Sequence, residues 1–107
     1  VLEITGTFLP LTLKSLGQII VGRGEIADFS PLNLDLTPYH AVEKGVSRRH
    51  ARLECIGGRV LITDLSSRNG TFVNGQRLKP KHRHLLHTGD EIRLGNLNAR
   101  IYFQEVN

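Results

Sequence analysis

Cysteine is nearly missing from this sequence: Cys55 is the only one in 107 residues. No disulfide can form within the chain, and a four-cysteine zinc site is excluded. A reducing, cytosolic setting suits a domain that needs no disulfide. Aromatic residues are scarce, four Phe and two Tyr with no Trp, and they carry no RRM-type signature of the kind RNA-binding sheets use for base stacking. No apolar run approaches the length that spans a bilayer. A basic segment followed by an apolar one, the mark of a secretory leader, is also missing. The chain begins at Val1 and reads as one domain, residues 1–107, cut from a longer protein.

What is present bounds the rest. A chain of 107 residues can bury one core without metal or disulfide support. Hydrophobic content of 39% and charged content of 22% are ordinary for a soluble globular protein. Lys and Arg outnumber Asp and Glu by 14 to 10, a net charge of +4, which favours an anionic partner without naming one. Phosphate, nucleic acid and acidic peptide are all compatible with that charge.

The hydrophobic period is two almost everywhere, with Val, Ile, Leu and Phe bounded by Gly, Asn and Pro, which predicts an all-β domain. From His50 onward Ala51, Leu53 and Cys55 alternate with Arg52 and Glu54. Gly57-Gly58 then supplies the positive φ of a tight hairpin, and RVLITDL returns as its partner. TFVNGQRL predicts a second hairpin with Asn74-Gly75 in a type I′ turn, and EIRLG and ARIYFQE flank a turn at Gly95-Asn96. The front end offers LEITG, an apolar stretch at Leu9 to Leu13, and QIIVG. Many short strands with frequent turns predict a sandwich or barrel. Gly24 to Lys44 breaks the rhythm as a long connection holding Pro31 and Pro38, and such loops are often functional.

Several chemistries can be weighed on the residues alone. GRGEIA, Gly22 to Ala27, matches the dinucleotide fingerprint in form, but no amphipathic helix follows to hold a pyrophosphate. His82, His84 and His87 could suggest a metal site, yet Lys79, Lys81 and Arg83 among them oppose a divalent cation and fit a basic surface connection. No nucleophile elbow or paired acids in a cleft stand out, so a binding module is favoured over an enzyme, with no cofactor. Asp64 and Asp90-Glu91 read as turn formers or solvated edge residues. Arg48, Arg49, Arg52, Arg59, Arg68 and the run from Lys79 to Arg83 could touch nucleic acid. Because Phe72, Tyr102 and Phe103 fall in predicted strands, where a core would claim them, a solvated basic face is the plainer reading.

Four short signals remain, in a fixed order: Gly22-Arg23 at the end of a strand, Ser47-Arg48-Arg49-His50 after the long loop, Ser67-Arg68-Asn69-Gly70-Thr71, and Val73-Asn74-Gly75. Together with GDEIRLG from Gly89 to Gly95, this order resembles the forkhead-associated (FHA) domain, especially its bacterial members, over about Gln18 to Phe103. The resemblance implies a β-sandwich of two antiparallel sheets (FHA/SMAD-like). Loops at one end would read a phosphothreonine on a partner protein of a Ser/Thr kinase pathway, with no chemical change, no nucleic acid and no membrane involved. Phosphothreonine carries about −1.5 to −2 charges and three acceptor oxygens, so its site needs fixed donors and positive charge.

By the same resemblance Arg23 supplies a forked guanidinium to the phosphate, Ser47 its hydroxyl, and Arg48 a second cation. Asn69 would combine a turn with an anchor for the ligand backbone, and Arg68 would lie beside the phosphothreonine methyl group or the next residue. Gly22, Gly70 and a structural His50 would support the site. Where many members carry another basic residue two positions before the serine, this chain has Gly45, with Lys44 adjacent as a substitute cation. A general polyanion binder is the alternative, as is an assembly domain using an intramolecular phosphothreonine, for which Thr37 before Pro38 is one conceivable source.

Overall fold

The computed structural model describes residues 1–11, 17–24 and 33–105. Within them the chain forms a six-stranded sheet in the order β2-β1-β11-β10-β7-β8 and a five-stranded sheet in the order β4-β3-β5-β6-β9. The strands are β1 Leu2–Ile4, β2 Thr7–Leu9, β3 Gln18–Gly22, β4 Asn33–Asp35, β5 Ala51–Ile56, β6 Arg59–Asp64, β7 Thr71–Val73, β8 Gln76–Arg77, β9 Arg83–Leu85, β10 Glu91–Leu94 and β11 Leu97–Ile101. One short 3₁₀ turn spans Thr37–Tyr39. Among the described residues no helix is long and apolar enough to cross a membrane.

Alternation drives the two layers together. Ile4, Leu97 and Ile101 from one sheet and Leu53 and Ile62 from the other are at most 2% exposed and belong to one core, the outcome for strands with one apolar face each. The turns follow their residues. Gly57 and Gly58 have φ of 58° and 77°, and Asn74 and Gly75 of 49° and 83°, the double positive φ of type I′ hairpins. Gly95 alone is positive in the turn joining β10 to β11, at φ 60°.

Four features differ from the pattern read along the chain. The stretch at Leu9 to Leu13 is not one strand: β2 ends at Leu9, after a Thr5-Gly6 turn with both φ positive, while Thr12 and Leu13 lie outside the described residues. The long connection contains β4, which pairs parallel to β3 (Val21 with Leu34), the one parallel pair among the described strands. The basic connection contains β9, paired to β6 through Thr63 and Arg83. Both are three-residue strands added to a sheet edge, too short to show a period. Finally β11 ends at Ile101, so Tyr102 and Phe103 lie past the strand predicted for them.

Register places the loops. Val21, Ala51 and Asp64 are successive cross-strand partners, so the segments after β3, before β5 and after β6 leave the sheet at the same end. In the facing sheet Leu94 pairs with both Thr71 and Leu97, which brings the Gly95-Asn96 turn there too. Two backbone bonds seal the arrangement: Gly95 N–H to the Gly70 carbonyl at 2.9 Å and Asn96 N–H to the Lys44 carbonyl at 2.8 Å.

Candidate functional site

Gly22 and Arg23 close β3 where the chain before β5 crosses it. The Arg23 amide donates to the Ser47 carbonyl at 3.2 Å, and its side-chain Nε donates to the Val46 carbonyl at 2.8 Å. A guanidinium has donors on one edge and both tips. Fixing Nε on a backbone carbonyl sets the plane of the fork and leaves its Nη groups for another acceptor. The side chain is half-buried, so its long stem loses freedom in folding rather than in binding.

His50, fully buried, organises the two neighbouring loops. Its Nδ1 accepts the Ser47 amide at 3.0 Å, and its Nε2 lies 2.8 Å from the Gly70 carbonyl oxygen. The first bond needs a bare Nδ1 and the second a protonated Nε2, so the ring is the neutral Nε2–H tautomer. Burial holds its pKa below the ordinary histidine value, against the opposing pull of the Gly70 carbonyl and Asp64. The ring is a strut between the two loops.

A second strut lies beneath it. The Asp64 carboxylate, 2% exposed, accepts hydrogen bonds from the hydroxyls of Ser67 and Thr71, the latter at 2.6 Å, and from the Ser67 amide at 3.3 Å. The Ser67 hydroxyl in turn accepts the Gly70 amide at 3.1 Å. Of the two readings of Asp64, turn former or solvated edge residue, this corrects the second: the carboxylate is buried, satisfied by three donors, and holds the turn through Ser67. The residues Asp64, Ser67 and Thr71, spaced by three and four along a loop, were the available signal for such a network.

Arg68 and Asn69 sit on the loop thus held. The Arg68 amide donates to the Ser47 hydroxyl oxygen at 3.1 Å, which leaves the hydroxyl hydrogen for a further acceptor. The Asn69 side-chain amide donates to the Gly45 carbonyl at 2.9 Å. Gly45 has φ 76°, and a β-carbon there would stand 2.5 Å from Asn69 Nδ2, which accounts for a glycine at this position. Lys44 next to it is half-buried and fixed at its backbone by Asn96.

The fold therefore brings Arg23, Ser47, Arg48, Arg68 and Asn69 to one end, on a framework of Gly22, His50 and Gly70. Among the described residues no ion pair joins Arg23, Arg48 or Arg68 to a carboxylate. The result is a cluster of fixed donors and positive charge, the requirements for holding a small dianion. Close by, the Thr37 hydroxyl donates to Asp35 at 2.6 Å and accepts the Gly24 amide at 2.8 Å. The Thr37 hydroxyl, the Thr37 amide and the Gly24 amide all donate to Asp35 and hold its pKa below the ordinary value, the Thr37 hydroxyl being the main cause.

The other candidates fare differently. His82, His84 and His87 do not come together: among the described residues no group of three metal-binding side chains is arranged around a common point. In GRGEIA, Gly22 to Gly24 belong to the loop end just described, whereas Glu25, Ile26 and Ala27 lie outside the described residues.

Comparison with known proteins gives a consistent result. The FHA domain model matches residues 19–95. Protein FraH of Nostoc sp. is 38% identical over 76 residues, 71% of this chain and 26% of that protein. FHA domain-containing protein FhaA of Mycobacterium tuberculosis is 39% identical over 80 residues, 75% of this chain and 13% of that protein. The chain thus spans a minor part of the curated relatives it matches. Among solved structures, a domain from a study of phosphothreonine-dependent FHA domain interactions superposes with a TM-score of 0.71 at 30% identity, covering 98% of this chain and 96% of the other. The FhaA FHA domain in complex with the intracellular domain of Rv3910 gives 0.66 at 33% identity, covering 92% and 94%.

Proposed function

The chain belongs to the FHA family, and from that premise we propose that its loop end is a non-catalytic docking site for a phosphothreonine on a partner protein in a Ser/Thr kinase pathway. The observation that carries the reading is the Arg23 guanidinium, fixed through Nε to the Val46 carbonyl at 2.8 Å beside the Ser47 hydroxyl. In this reading the free Nη groups of Arg23 and the Ser47 hydroxyl hydrogen meet the phosphate oxygens, and Arg48 adds a second cation. Asn69 and Arg68 hold the ligand backbone next to the phosphorylated residue, and Gly22, His50 and Gly70 keep the loops in register. Nothing in this set activates a nucleophile or a leaving group, so the phosphate is read and released unchanged. A cytosolic setting, where kinases act and Cys55 stays reduced, fits this role.

Support comes from the phosphothreonine-dependent interactions of the similar solved domain and from the partner complex of the FhaA domain. Preference for threonine over serine would come from burying one methyl group, worth about 1 kcal/mol. The deciding test is a titration against degenerate peptide pools carrying phosphothreonine, phosphoserine or unmodified threonine, repeated with Arg23→Ala. Selective phosphothreonine binding that vanishes in Arg23→Ala supports the reading. Equal, salt-sensitive binding to every anionic pool would instead favour a general polyanion binder.

A further inference from the structure

Beside the proposed phosphothreonine site the outer face of the six-stranded sheet carries a row of three residues in cross-strand register: Arg77 on β8, Phe72 on β7 and Arg93 on β10. Both guanidiniums lie over the Phe72 ring, Arg93 with its Cζ 3.9 Å from the ring centroid and Arg77 at 5.8 Å. The ring attracts each cation and fixes the plane of its fork. It cannot neutralise them. Among the described residues neither arginine forms an ion pair, and Glu91, the acid on the same face of β10, is taken by Arg100 at 3.4 Å. Two like charges held around one ring, neither with an ion-pair partner of its own among the described residues, make a place where an anion is stabilised by both.

The row connects to the loop end through Gly70. A β-carbon on Gly70 would stand 2.9 Å from Arg77 Nε and 3.1 Å from a Phe72 ring carbon, so the bare α-carbon is what seats Arg77 against the loop that carries Arg68 and Asn69. On its other side Arg93 lines a polar groove of about 500 Å³ with Gly75, Glu91, Asn96 and Asn98, and Asn96 is the turn residue bonded to Lys44. The row therefore starts at the loop that carries Asn69, the residue assigned above to the ligand backbone.

We propose that Arg77 and Arg93 form a second, anion-binding subsite that selects an acidic side chain on the same ligand, outside the phosphothreonine itself. The proposal rests on the phosphothreonine reading and adds a sequence preference to it. A nucleic acid is a poorer occupant, because the one aromatic ring in the row is already covered by guanidiniums and is not open to a base. Exposed ion pairs of this kind are individually weak, so the expected preference is modest, roughly fivefold for two of them together.

The test uses two degenerate phosphothreonine peptide pools that differ only in flanking residues, one allowing Asp and Glu and the other Asn and Gln in their place. Titrating the 107-residue chain should give about fivefold tighter binding of the acidic pool. In Arg77→Gln/Arg93→Gln that ratio should fall to unity while affinity for the neutral pool is unchanged; the two single variants serve if the double one unfolds. Lys79→Gln/Lys81→Gln should keep the ratio. A ratio of unity in the unaltered chain overturns the proposal, as does a preference that survives the arginine changes or disappears equally with the lysine changes. If neither pool binds, the phosphothreonine reading itself fails and the subsite fails with it.

Discussion

The α-carbon of Gly22 is pressed so closely to the carbonyl oxygen of Arg48 that a β-carbon there would stand 1.8 Å from it. The contact is backbone against backbone, so no rotamer change can relieve it. It also explains how Arg23 comes to lie beside Ser47: only a glycine before it lets the two segments cross.

Gly22→Ala should therefore separate the segments, costing about 3 kcal/mol or more as a forced overpacking and taking phosphopeptide binding with it. Gly6→Ala provides the contrast, since Gly6 has φ 82° but nothing within 4 Å of a β-carbon. There the cost is the left-handed conformation alone, about 1 kcal/mol, and binding stays intact. Denaturant unfolding and a peptide titration on both variants would separate the two effects.

Arg23→Lys keeps the charge and should still fail. Lysine has no Nε donor to hold the Val46 carbonyl while a second donor faces the ligand, and its ammonium is a flexible point charge. Losing one charge-assisted hydrogen bond costs about 1.5–3 kcal/mol, so affinity for a phosphothreonine peptide should fall by roughly one to two orders of magnitude. Stability should change little. Calorimetric titration and a melting curve on the same sample measure both; near-normal affinity in the lysine variant would remove the forked geometry from the argument.

Placing a basic residue at position 45 should weaken binding here. Gly45→Lys must adopt φ 76° and push aside the Asn69 amide, whose Nδ2 would be 2.5 Å from the new β-carbon. The added charge then comes with a displaced Asn69, and the position costs about 1 kcal/mol in backbone strain besides. A titration showing tighter binding, with the Asn69 side-chain amide signals unmoved, would refute this.

Much of this architecture was legible along the chain because it is built from local rules. Asn74-Gly75 and Gly57-Gly58 announce their hairpins by the positive φ each needs, and alternation in ARLEC and RVLIT places Ala51, Leu53, Val60 and Ile62 on the core face, although Glu54 and Thr63 on the other face are buried as well. Gly22-Arg23, Ser47-Arg48 and Arg68-Asn69 stand out as an ordered set, but their meeting at one end depends on register. What could not be read depends on tertiary partners. The strands Asn33–Asp35 and Arg83–Leu85 exist because an open sheet edge recruits them, and three residues hold no period. Asp64 looks like any polar turn residue until Ser67 and Thr71 fold over it. The cross-link from Asn74 Nδ2 to Asp90 at 2.9 Å joins two motifs that the sequence places sixteen residues apart.

His50 makes the loop end sensitive to acid. Its folded pKa lies below the unfolded value of 6.5 because burial penalises the charged ring, so between the two values the unfolded chain holds more protons than the folded one. Stability from this group is complete above pH 6.5 and is lost as pH falls through the folded pKa. Protonating Nδ1 would also point a second N–H at the Ser47 amide, which now donates to it at 3.0 Å, and so release the Ser47 loop. The carboxylates Asp35 and Glu54, also lowered, act in a separate window: their stabilisation is present above their unfolded values of 3.8 and 4.5 and is lost only below them. Unfolding free energy measured from pH 7.5 to 5 should thus decline before the carboxylates contribute. Nitrogen-detected NMR should show the His50 ring as the Nε2–H tautomer at neutral pH, titrating below 6.5. The measurement belongs on the free domain, because the ligand phosphate titrates with a pKa of about 6 and would mask the effect in a binding curve. A His50 midpoint at or above 6.5, or an Nδ1–H tautomer, would mean that the ring does not bridge the two loops in the way the distances require.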